Sequence, residues 1–368
     1  MTTPFELGDE LGPANVLHLA NLAVGLKAIV VVDNVACGPA IGGTRMAPDV
    51  SLEECARLAR AMTFKNAAAG LAHGGAKSVI FADPSMAKEH KETLMRAFAC
   101  SIADVRGYIP GPDMGTDEMC MAWVHDEIGR AVGLPREIGG IPLDEIGATG
   151  FGVAVAAEVA QEFCDVKLDG ARIAVQGFGA VGQHAARQLA ARGAVLVAAA
   201  DSRNTVTSKS GFDIDALIET KRQQGRLSAH PGSGVHESEH IVGVDCDILI
   251  PAARPDVLTG KNADAVKAKL ILQGANIPAT AAAEEALHSR GILSVPDFIA
   301  NAGGVICASV EFHGGSEAAA FAEIDDKIKR NTREVLERAQ NNAEQPRTSA
   351  MALASERVRT AMGVRRWR

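Results

Sequence analysis

The sequence has few aromatic residues, few positive charges relative to negative ones, and no long apolar run. Aromatic residues make up 4% of 368 residues, whereas there are 37 glycines, which is typical of tight packing and of close backbone approaches to small ligands. No apolar run reaches the roughly 20 residues of a membrane-spanning helix, so no membrane partner is expected. The net charge of -8 and a pI near 5.7 argue against nucleic acid as the main partner.

The cysteines form no C-x-x-C pair. They are scattered along the chain, at Cys37, Cys55, Cys100, Cys120, Cys164, Cys246 and Cys307. This spacing predicts free thiols rather than a disulfide framework or a structural zinc site, and no metal is expected. The N-terminus, MTTPFELGDELG, lacks the pattern of a signal peptide. Together these features predict a cytoplasmic protein.

The order of apolar segments predicts two α/β domains, because 368 residues exceed one ordinary core. Strands are predicted over 26–33 and 76–84, with a helix over 51–69 for which Ser51 is the N-cap. From about residue 145, strands alternate with helices, which is typical of a parallel, doubly wound sheet. After about residue 316 the chain is predicted to be helical, with a charged, solvated face and a frayed basic tail.

A G-x-G-x-x-G pattern follows the apolar strand ARIAVQ and opens a helix. Its residues are Gly177, Phe178, Gly179, Ala180, Val181 and Gly182. In this context the glycines permit a tight turn, a close pyrophosphate and close helix–strand packing, and the helix N-terminus offers unpaired N–H donors. Asp201 ends the next strand, where a carboxylate accepts hydrogen bonds from a ribose and repels a 2′-phosphate. The pattern predicts NAD as the cofactor, although Arg203 could pair with a phosphate; a glycine turn without nucleotide is the alternative.

Two lysines accompany a glycine-rich turn in the first half of the chain. Lys65 lies in TFKNAAAGL, and Lys77 follows His73 and two glycines in HGGAK. Lysines are usually surface charges, but the neighbours here are Ala, Gly, Val and Ile. Close lysines in an apolar site favour a neutral amine in one of them, which could act as a general base.

Seven segments carry a resemblance to a known family. They are, in order, GPAIGGTRM, MTFKNAAAGLAHGGAKSVI, GPDMGT, ATGFGV, QGFGAVG, QGANIPAT and PDFIANAGGV. From about residue 26 to 310 the chain resembles the glutamate/leucine/phenylalanine/valine dehydrogenase superfamily. Its first half is most similar to leucine dehydrogenase, whereas the segments QGANIPAT and TDEMCMAW are more similar to glutamate dehydrogenase. The resemblance implies a homo-oligomer with a cleft between an N-terminal substrate domain (1–144) and a Rossmann NAD-binding domain (145–318). It also implies C-terminal helices (319–368) that return to the first domain.

The resemblance assigns roles to residues of both domains. Lys65 matches the lysine that binds the substrate α-carboxylate, aided by the backbone of Gly42 and Gly43. Lys77 matches the catalytic lysine that activates water, and Asp113 matches the aspartate that moves protons to and from the amine nitrogen.

Further residues match positions near the cofactor: Asn276 and Asn301 near the nicotinamide and substrate, and Thr149 at the cleft. The implied reaction is oxidative deamination of an L-amino acid to a 2-oxo acid and ammonium, with hydride passing to NAD, and the reverse reductive amination. No metal is implied, because Lys77 supplies the positive charge.

Two departures bear on the substrate. Glutamate dehydrogenases carry a lysine where this chain has Ile41, and a serine where it has Ala308. A buried substrate carboxylate would lack these partners, so we expect an uncharged side chain: branched, aliphatic or aromatic. One alternative is a glutamate dehydrogenase with another carboxylate anchor, involving His73, where relatives usually have Met or Leu. His73 is otherwise a packed, hydrogen-bonded histidine. Another alternative is a non-catalytic NAD-responsive sensor, which has no need of the lysines and Asp113.

Overall fold

The computed structural model describes residues 4–365, and the chain divides into two compact units. Unit 1 comprises Met1–Leu143, Val305–Glu323 and Met351–Arg368, and unit 2 comprises Asp144–Gly304 and Ile324–Ala350. Within the described residues no helix combines the length and the apolar character needed to cross a membrane.

Unit 1 is built on a five-stranded sheet in the order β1-β2-β4-β3-β5. The strands are β1 (Asn15–Asn21), β2 (Leu26–Asn34), β3 (Ala40–Ala47), β4 (Gly74–Phe81) and β5 (Tyr108–Pro112). The helices of its first part are α1 (Leu52–Ala68), α2 (Lys88–Ser101) and α3 (Glu118–Ile128). β1 and β4 are antiparallel to β2, whereas β3 is parallel to both β4 and β5. The two parallel neighbours of β3 therefore end at the same edge of the sheet.

The centre of β2, residues 28–32, is an unbroken apolar run because both faces of the sheet are covered there. Val30 and Val32 pack in one cluster with residues of α2 and α3, whereas Ile29 and Val31 pack in another with Cys55 of α1. Alternate residues of a strand point to opposite faces, so a continuous apolar run is what a doubly covered strand requires. The predictions of a strand over 26–33 and a helix over 51–69 agree with these elements, and the Ser51 hydroxyl accepts from the Glu54 amide at 3.1 Å.

Unit 2 contains a seven-stranded sheet in the order β12-β11-β10-β6-β7-β8-β9. The strands are β6 (Arg172–Gln176), β7 (Val195–Ala200), β8 (Asn204–Thr207), β9 (Gly234–Glu237), β10 (Ile248–Pro251), β11 (Leu270–Leu272) and β12 (Leu293–Val295). The helices are α4 (Ala148–Ala160), α5 (Ala180–Ala190), α6 (Ile214–Gln224), α7 (Ala281–Ser289) and α8 (Asp297–Ala300). The five strands from β12 to β7 are parallel, as the alternation of strands and helices predicts.

β8 and β9 add an antiparallel extension at one edge of this sheet. Both strands are four residues long and β9 is exposed, so neither shows the apolar alternation by which a strand is recognised in a sequence. The strand order reverses between β10 and β7 around β6. Ligands of open α/β sheets bind outside the carboxyl ends of the strands at such a reversal.

Three helices complete the chain: α9 (Gly303–Phe312), α10 (Glu317–Asn342) and α11 (Pro346–Val364). α10 and α11 agree with the helical character predicted beyond residue 316. The last residues of the basic tail, 366–368, lie outside the described residues.

Candidate functional site

The parallel strands of unit 1 bring the two predicted catalytic side chains together. Lys77 lies in β4 and Asp113 directly follows β5, so that β3 runs between them. The Lys77 Nζ atom is 2.6 Å from Asp113 Oδ2. Lys77 is 6% exposed, whereas the Asp113 side chain is 23% exposed. The result is a largely buried ion pair with its carboxylate accessible from one side.

Two glycines of β3 make room for this pair. A Cβ atom at Gly43 would lie 2.8 Å from the Asp113 Cβ and 3.2 Å from the Lys77 Nζ. A Cβ atom at Gly42 would lie 1.7 Å from the carbonyl oxygen of Ala76. The sequence GG is thus required where β3 passes between the lysine and the aspartate.

Arg45 is a third member of this cluster that sequence reasoning missed. Its Nε atom is 3.2 Å from Asp113 Oδ2, and its guanidinium also pairs with Glu54 of α1. Burial alone would raise the pKa of Asp113, but the Lys77 ammonium and the Arg45 guanidinium outweigh burial and lower that pKa. The carboxylate is therefore ionised at neutral pH. Arg45 lies two residues after Gly43 in β3, so both positions are on the same face of the strand. This spacing was the indication in the sequence that Arg45 could lie beside Asp113.

Lys65 occupies the last turn of α1 and is half-buried. Its helix is fixed to the glycine turn by Asn66, whose Nδ2 donates to the Gly74 carbonyl at 2.6 Å. A Cβ atom at Gly75 would lie 2.0 Å from the Thr63 amide nitrogen, so this glycine allows α1 to pack directly on β4. The turn that precedes Lys77 therefore also positions the helix that carries Lys65.

Ile41 and Ala308 lie in one small apolar cluster with Ile109 and Val132. Ile41 is 4% exposed and Ala308 is 6% exposed. Both residues thus pack in the interior of unit 1, where each fills space beside other apolar side chains.

His73 lies immediately before β4 and is 1% exposed. Its Nδ1 is 3.0 Å from the carbonyl oxygen of Pro39, and its ring packs against Phe312 and His313 at the end of α9. Since a carbonyl oxygen only accepts, Nδ1 carries the proton of the neutral ring. Nε2 is buried and has no hydrogen-bond partner within residues 4–365. Buried polar atoms are nearly always hydrogen-bonded, so an Nε2 atom without a partner calls for a structural or functional explanation.

The glycine-rich loop of unit 2 joins β6 to α5. Gly177 has a φ of +92° and a Cβ atom there would lie 2.4 Å from that of Ala253, while a Cβ atom at Gly182 would lie 2.1 Å from the Gly177 carbonyl oxygen. A Cβ atom at Gly179, the N-cap of α5, would meet nothing within 4 Å. Two glycines are thus required by close packing, and the third borders open space at a helix N-terminus, where a pyrophosphate fits.

Asp201 follows β7, as predicted, but most of the acceptor positions of its carboxylate are occupied by hydrogen bonds within the protein. Oδ1 accepts from the amides of Arg203 and Asn204 at 2.8 and 2.9 Å, and Oδ2 accepts from the Leu227 amide at 2.9 Å. Burial raises the pKa of Asp201, but these amides and Lys221 lower it overall. A carboxylate has about four acceptor positions, so one is left for a ribose hydroxyl.

Asn276 and Asn301 also meet in unit 2. Asn301 Nδ2 donates to Asn276 Oδ1 at 3.1 Å. Asn301 is 3% exposed, and within the described part of the chain its Oδ1 atom has no hydrogen-bond partner. Thr149 lies in the first turn of α4, where a Cβ atom at Gly303 would come within 3.2 Å of its Cα. An unsatisfied acceptor next to Asn276 suits a ligand with an N–H donor, such as a carboxamide.

Comparison with known proteins identifies the family. Residues 139–366 match the model of Glutamate/Leucine/Phenylalanine/Valine dehydrogenase, and residues 20–130 match that of the Glu/Leu/Phe/Val dehydrogenase dimerisation domain. The chain is 38% identical to a glutamate dehydrogenase of Aeropyrum pernix, over 91% of this chain and 85% of the relative. It is 36% identical to an NADP(+)-dependent glutamate dehydrogenase of Pyrobaculum calidifontis, over 92% and 86%.

A solved structure agrees with these relatives. The leucine-bound form of the hetero-hexameric glutamate dehydrogenase from Thermus thermophilus superimposes with a TM-score of 0.86 at 29% identity, covering 97% of this chain and 91% of that one. The predicted superfamily and the two-domain α/β fold with a Rossmann-like nucleotide-binding domain are thereby confirmed.

The predicted substrate was wrong. Relatives at 36–40% identity over most of the chain are named glutamate dehydrogenases, which contradicts an uncharged substrate and the emphasis on leucine dehydrogenase. The prediction treated Ile41 and Ala308 as the wall that selects the substrate. In the structure both residues fill an apolar cluster of the protein interior. The absence of the usual lysine and serine does not prevent another polar group from binding the side-chain carboxylate of glutamate.

The confirmed superfamily, the nucleotide-binding fold and the relatives lead to one conclusion. The chain belongs to the glutamate/leucine/phenylalanine/valine dehydrogenase family and is an amino-acid dehydrogenase, an oxidoreductase that acts on CH–NH2 groups with a nicotinamide dinucleotide, NAD or NADP.

Proposed function

We propose that the protein catalyses the oxidative deamination of L-glutamate to 2-oxoglutarate and ammonium, with NAD as the preferred cofactor, and the reverse reaction. The observation that carries the chemistry is the buried pair of Lys77 and Asp113, 2.6 Å apart beside Gly43. The names of the relatives support glutamate as the substrate.

Asp113 supplies the proton transfers at the nitrogen. The substrate ammonium must lose a proton before hydride leaves the α-carbon, and an ionised carboxylate accepts it. Bound nicotinamide supplies the hydride acceptor, and the substrate becomes an imine. When the C–N bond later breaks, Asp113 returns a proton to the departing ammonia.

Lys77 acts at the carbon. Water adds to the imine carbon while one of its protons passes to the Asp113 carboxylate, which has by then released the substrate's proton to solvent, and the Lys77 ammonium stabilises the negative charge that develops on the oxygen. Its contact with Asp113 at 2.6 Å is short enough for proton exchange between the two groups. Lys65 binds the α-carboxylate, together with the backbone at Gly42 and Gly43, so that the α-carbon faces this pair.

His73 is the proposed anchor for the second carboxylate of glutamate. Nδ1 is held as a donor to Pro39, so Nε2 donates only when the ring is an imidazolium. Burial lowers the pKa of His73, and the neighbouring His313 lowers it further, which keeps the ring neutral until an anion arrives. A bound carboxylate would reverse this balance, and the KM for glutamate should therefore rise as the pH increases.

Preference for NAD rests on Asp201, which is ionised and faces the end of β7 with one acceptor position left. Its charge opposes a 2′-phosphate. Asn276, Asn301 and Thr149 are proposed to bind the nicotinamide end. No metal is part of the proposal, because Lys77 provides the charge that a Lewis acid would supply.

An oligomer and a cytoplasmic location complete the proposal. The first matched segment belongs to a model described as a dimerisation domain, and the Thermus thermophilus relative is hetero-hexameric, which supports assembly of this chain into a homo-oligomer. All seven cysteines are free, as is usual in a reducing compartment.

Steady-state kinetics on the purified protein test the substrate. We expect a higher kcat/KM for L-glutamate than for L-norvaline, L-leucine or L-phenylalanine. His73→Leu should raise the KM for glutamate about 10-fold or more, because a hydrogen bond to a charged group is lost, and should leave the KM for norvaline unchanged. A wild-type protein that prefers norvaline or leucine would refute the proposal.

A further inference from the structure

The loop that carries Asn276 follows β11 and comprises residues 273–277, here called the Asn276 loop. Its Gly274 and Ala275 amides donate to the Pro251 carbonyl at 3.0 and 2.9 Å. Asn301 Nδ2 contacts the Gly274 and Ala275 carbonyls at 3.3 and 3.2 Å. The loop thus lies at the carboxyl end of a parallel strand, on the edge of the sheet where ligands bind.

Ile277 ends this loop in an unfavourable backbone conformation. Its φ is 48°, which is a genuine outlier for a β-branched residue. Ile277 is 42% exposed, so packing of its side chain does not explain the conformation. Two hydrogen bonds hold its backbone: the amide donates to Asp297 Oδ2 at 2.8 Å, and the carbonyl accepts from the Asp256 amide at 3.0 Å.

Arg347 connects the two ends of the loop. The Arg347 Nη2 atom donates to Gln273 Oε1 at 2.8 Å and to Asp297 Oδ1 at 2.9 Å. Its Nε atom lies 2.7 Å from Glu284 Oε2. Gln273 is fully buried, so the guanidinium satisfies polar groups that have no access to water. Gln273 begins the loop and Asp297 holds its last residue.

We propose that Arg347 is a positioning residue, which acts through Gln273 and Asp297 to fix the Asn276 loop and thereby places Asn276 against the nicotinamide end of the cofactor. The inference rests on the proposed function, from which the role of Asn276 is taken. Strain that persists at a ligand site must be held by its surroundings, and here the surroundings are the Asp297 carboxylate and the arginine that pairs with it. An arginine suits this position because its planar fork serves several acceptors at once.

The test measures the dissociation constant of NAD by isothermal titration calorimetry on full-length variants, without amino acid. Asp297→Ala should raise the Kd roughly 10-fold, because Ile277 is then free to leave its strained conformation. Ile277→Asn/Asp297→Ala should restore a Kd near that of the wild type, since Asn tolerates positive φ. The melting temperature should fall in Asp297→Ala and should stay equally low in the double variant, because both variants lack the contact between Arg347 and Asp297.

Arg347→Lys keeps the charge and should fold, but a single ammonium does not serve both Gln273 and Asp297. We expect it to raise the Kd for NAD in the same direction as Asp297→Ala. The matched control is Arg333→Met, which removes an exposed pair with Glu162 in the same unit and should change neither Kd nor melting temperature measurably.

Two outcomes would overturn the inference alone: a wild-type Kd in both Asp297→Ala and Arg347→Lys, or equal weakening in Asp297→Ala and the double variant. The latter would mean that Asp297 stabilises the unit without acting on the loop. A wild-type protein that binds neither NAD nor NADP would instead refute the proposed function, and the positioning role with it.

Discussion

Replacing Gly43 with alanine would place a methyl group between the two side chains that carry the proposed chemistry. The new Cβ atom would lie 2.8 Å from the Asp113 Cβ, 3.1 Å from the Pro112 carbonyl oxygen and 3.2 Å from the Lys77 Nζ. Separations below about 3.0 Å do not occur for real Cβ atoms, so Asp113 must move. The Lys77–Asp113 contact of 2.6 Å should lengthen as a result.

The expected loss of activity follows from that displacement. A misplacement of about 1 Å at a reacting centre costs roughly 100-fold in rate, so we expect kcat/KM to fall by about two orders of magnitude. Overpacking costs about 1–3 kcal/mol in the free energy of unfolding, or a fall in melting temperature of roughly 2–12 °C for a domain of this size class. Most of the protein should therefore stay folded at 25 °C while losing most of its activity.

Kinetics and thermal unfolding of the same preparation would separate the two effects. Gly363→Ala is a matched control, because a Cβ atom at that position meets nothing within 4 Å. Near-normal kcat/KM in Gly43→Ala would refute the argument that close approach of Lys77 and Asp113 is required.

Three further predictions concern single residues. Lys77→Ala and Asp113→Asn should each lower kcat by at least ~100-fold, the usual contribution of a proton-transfer group, while calorimetry still detects NAD binding; retained turnover in either variant would show that the role is misassigned. Lys65→Ala should mainly raise the KM for the amino acid, as measured by initial rates, and an effect confined to kcat would argue against carboxylate binding. The lowered pKa values of Asp113 and Asp201 mean that the stability they contribute is present above about pH 4, the unfolded value. It is lost as the pH falls through their lower folded values. Melting curves between pH 7 and 3 should show a smaller loss in Asp113→Asn than in wild type, and an equal loss would contradict this.

The elements near the proposed site were largely predictable because their local patterns and their tertiary environments agree. β2 shows an unbroken apolar run, and both of its faces are indeed covered. The Ser51 cap requires only the residues next to it. The pairing of β8 with β9 could not be predicted, because each strand is only four residues long and β9, at the exposed edge of the sheet, has no apolar face.

Side-chain partners across long separations were beyond sequence reasoning. Asp113 meets Arg45, and Arg347 meets Gln273 and Asp297, only because the strands and helices bring distant segments together. The spacing around Asp201 correctly indicated an acid after β7, but not that three backbone amides occupy most of its carboxylate. The substrate was mispredicted for the same reason: Ile41 and Ala308 were judged by identity, without the cluster that surrounds them.

The identity and amounts of the products test the central claim most directly. With L-glutamate and NAD, the wild-type protein should form NADH, 2-oxoglutarate and ammonium in equal amounts, and Asp113→Asn should form almost none of the three. NADH formation without an equal release of ammonium, or no reaction of glutamate when another amino acid is turned over, would contradict the account.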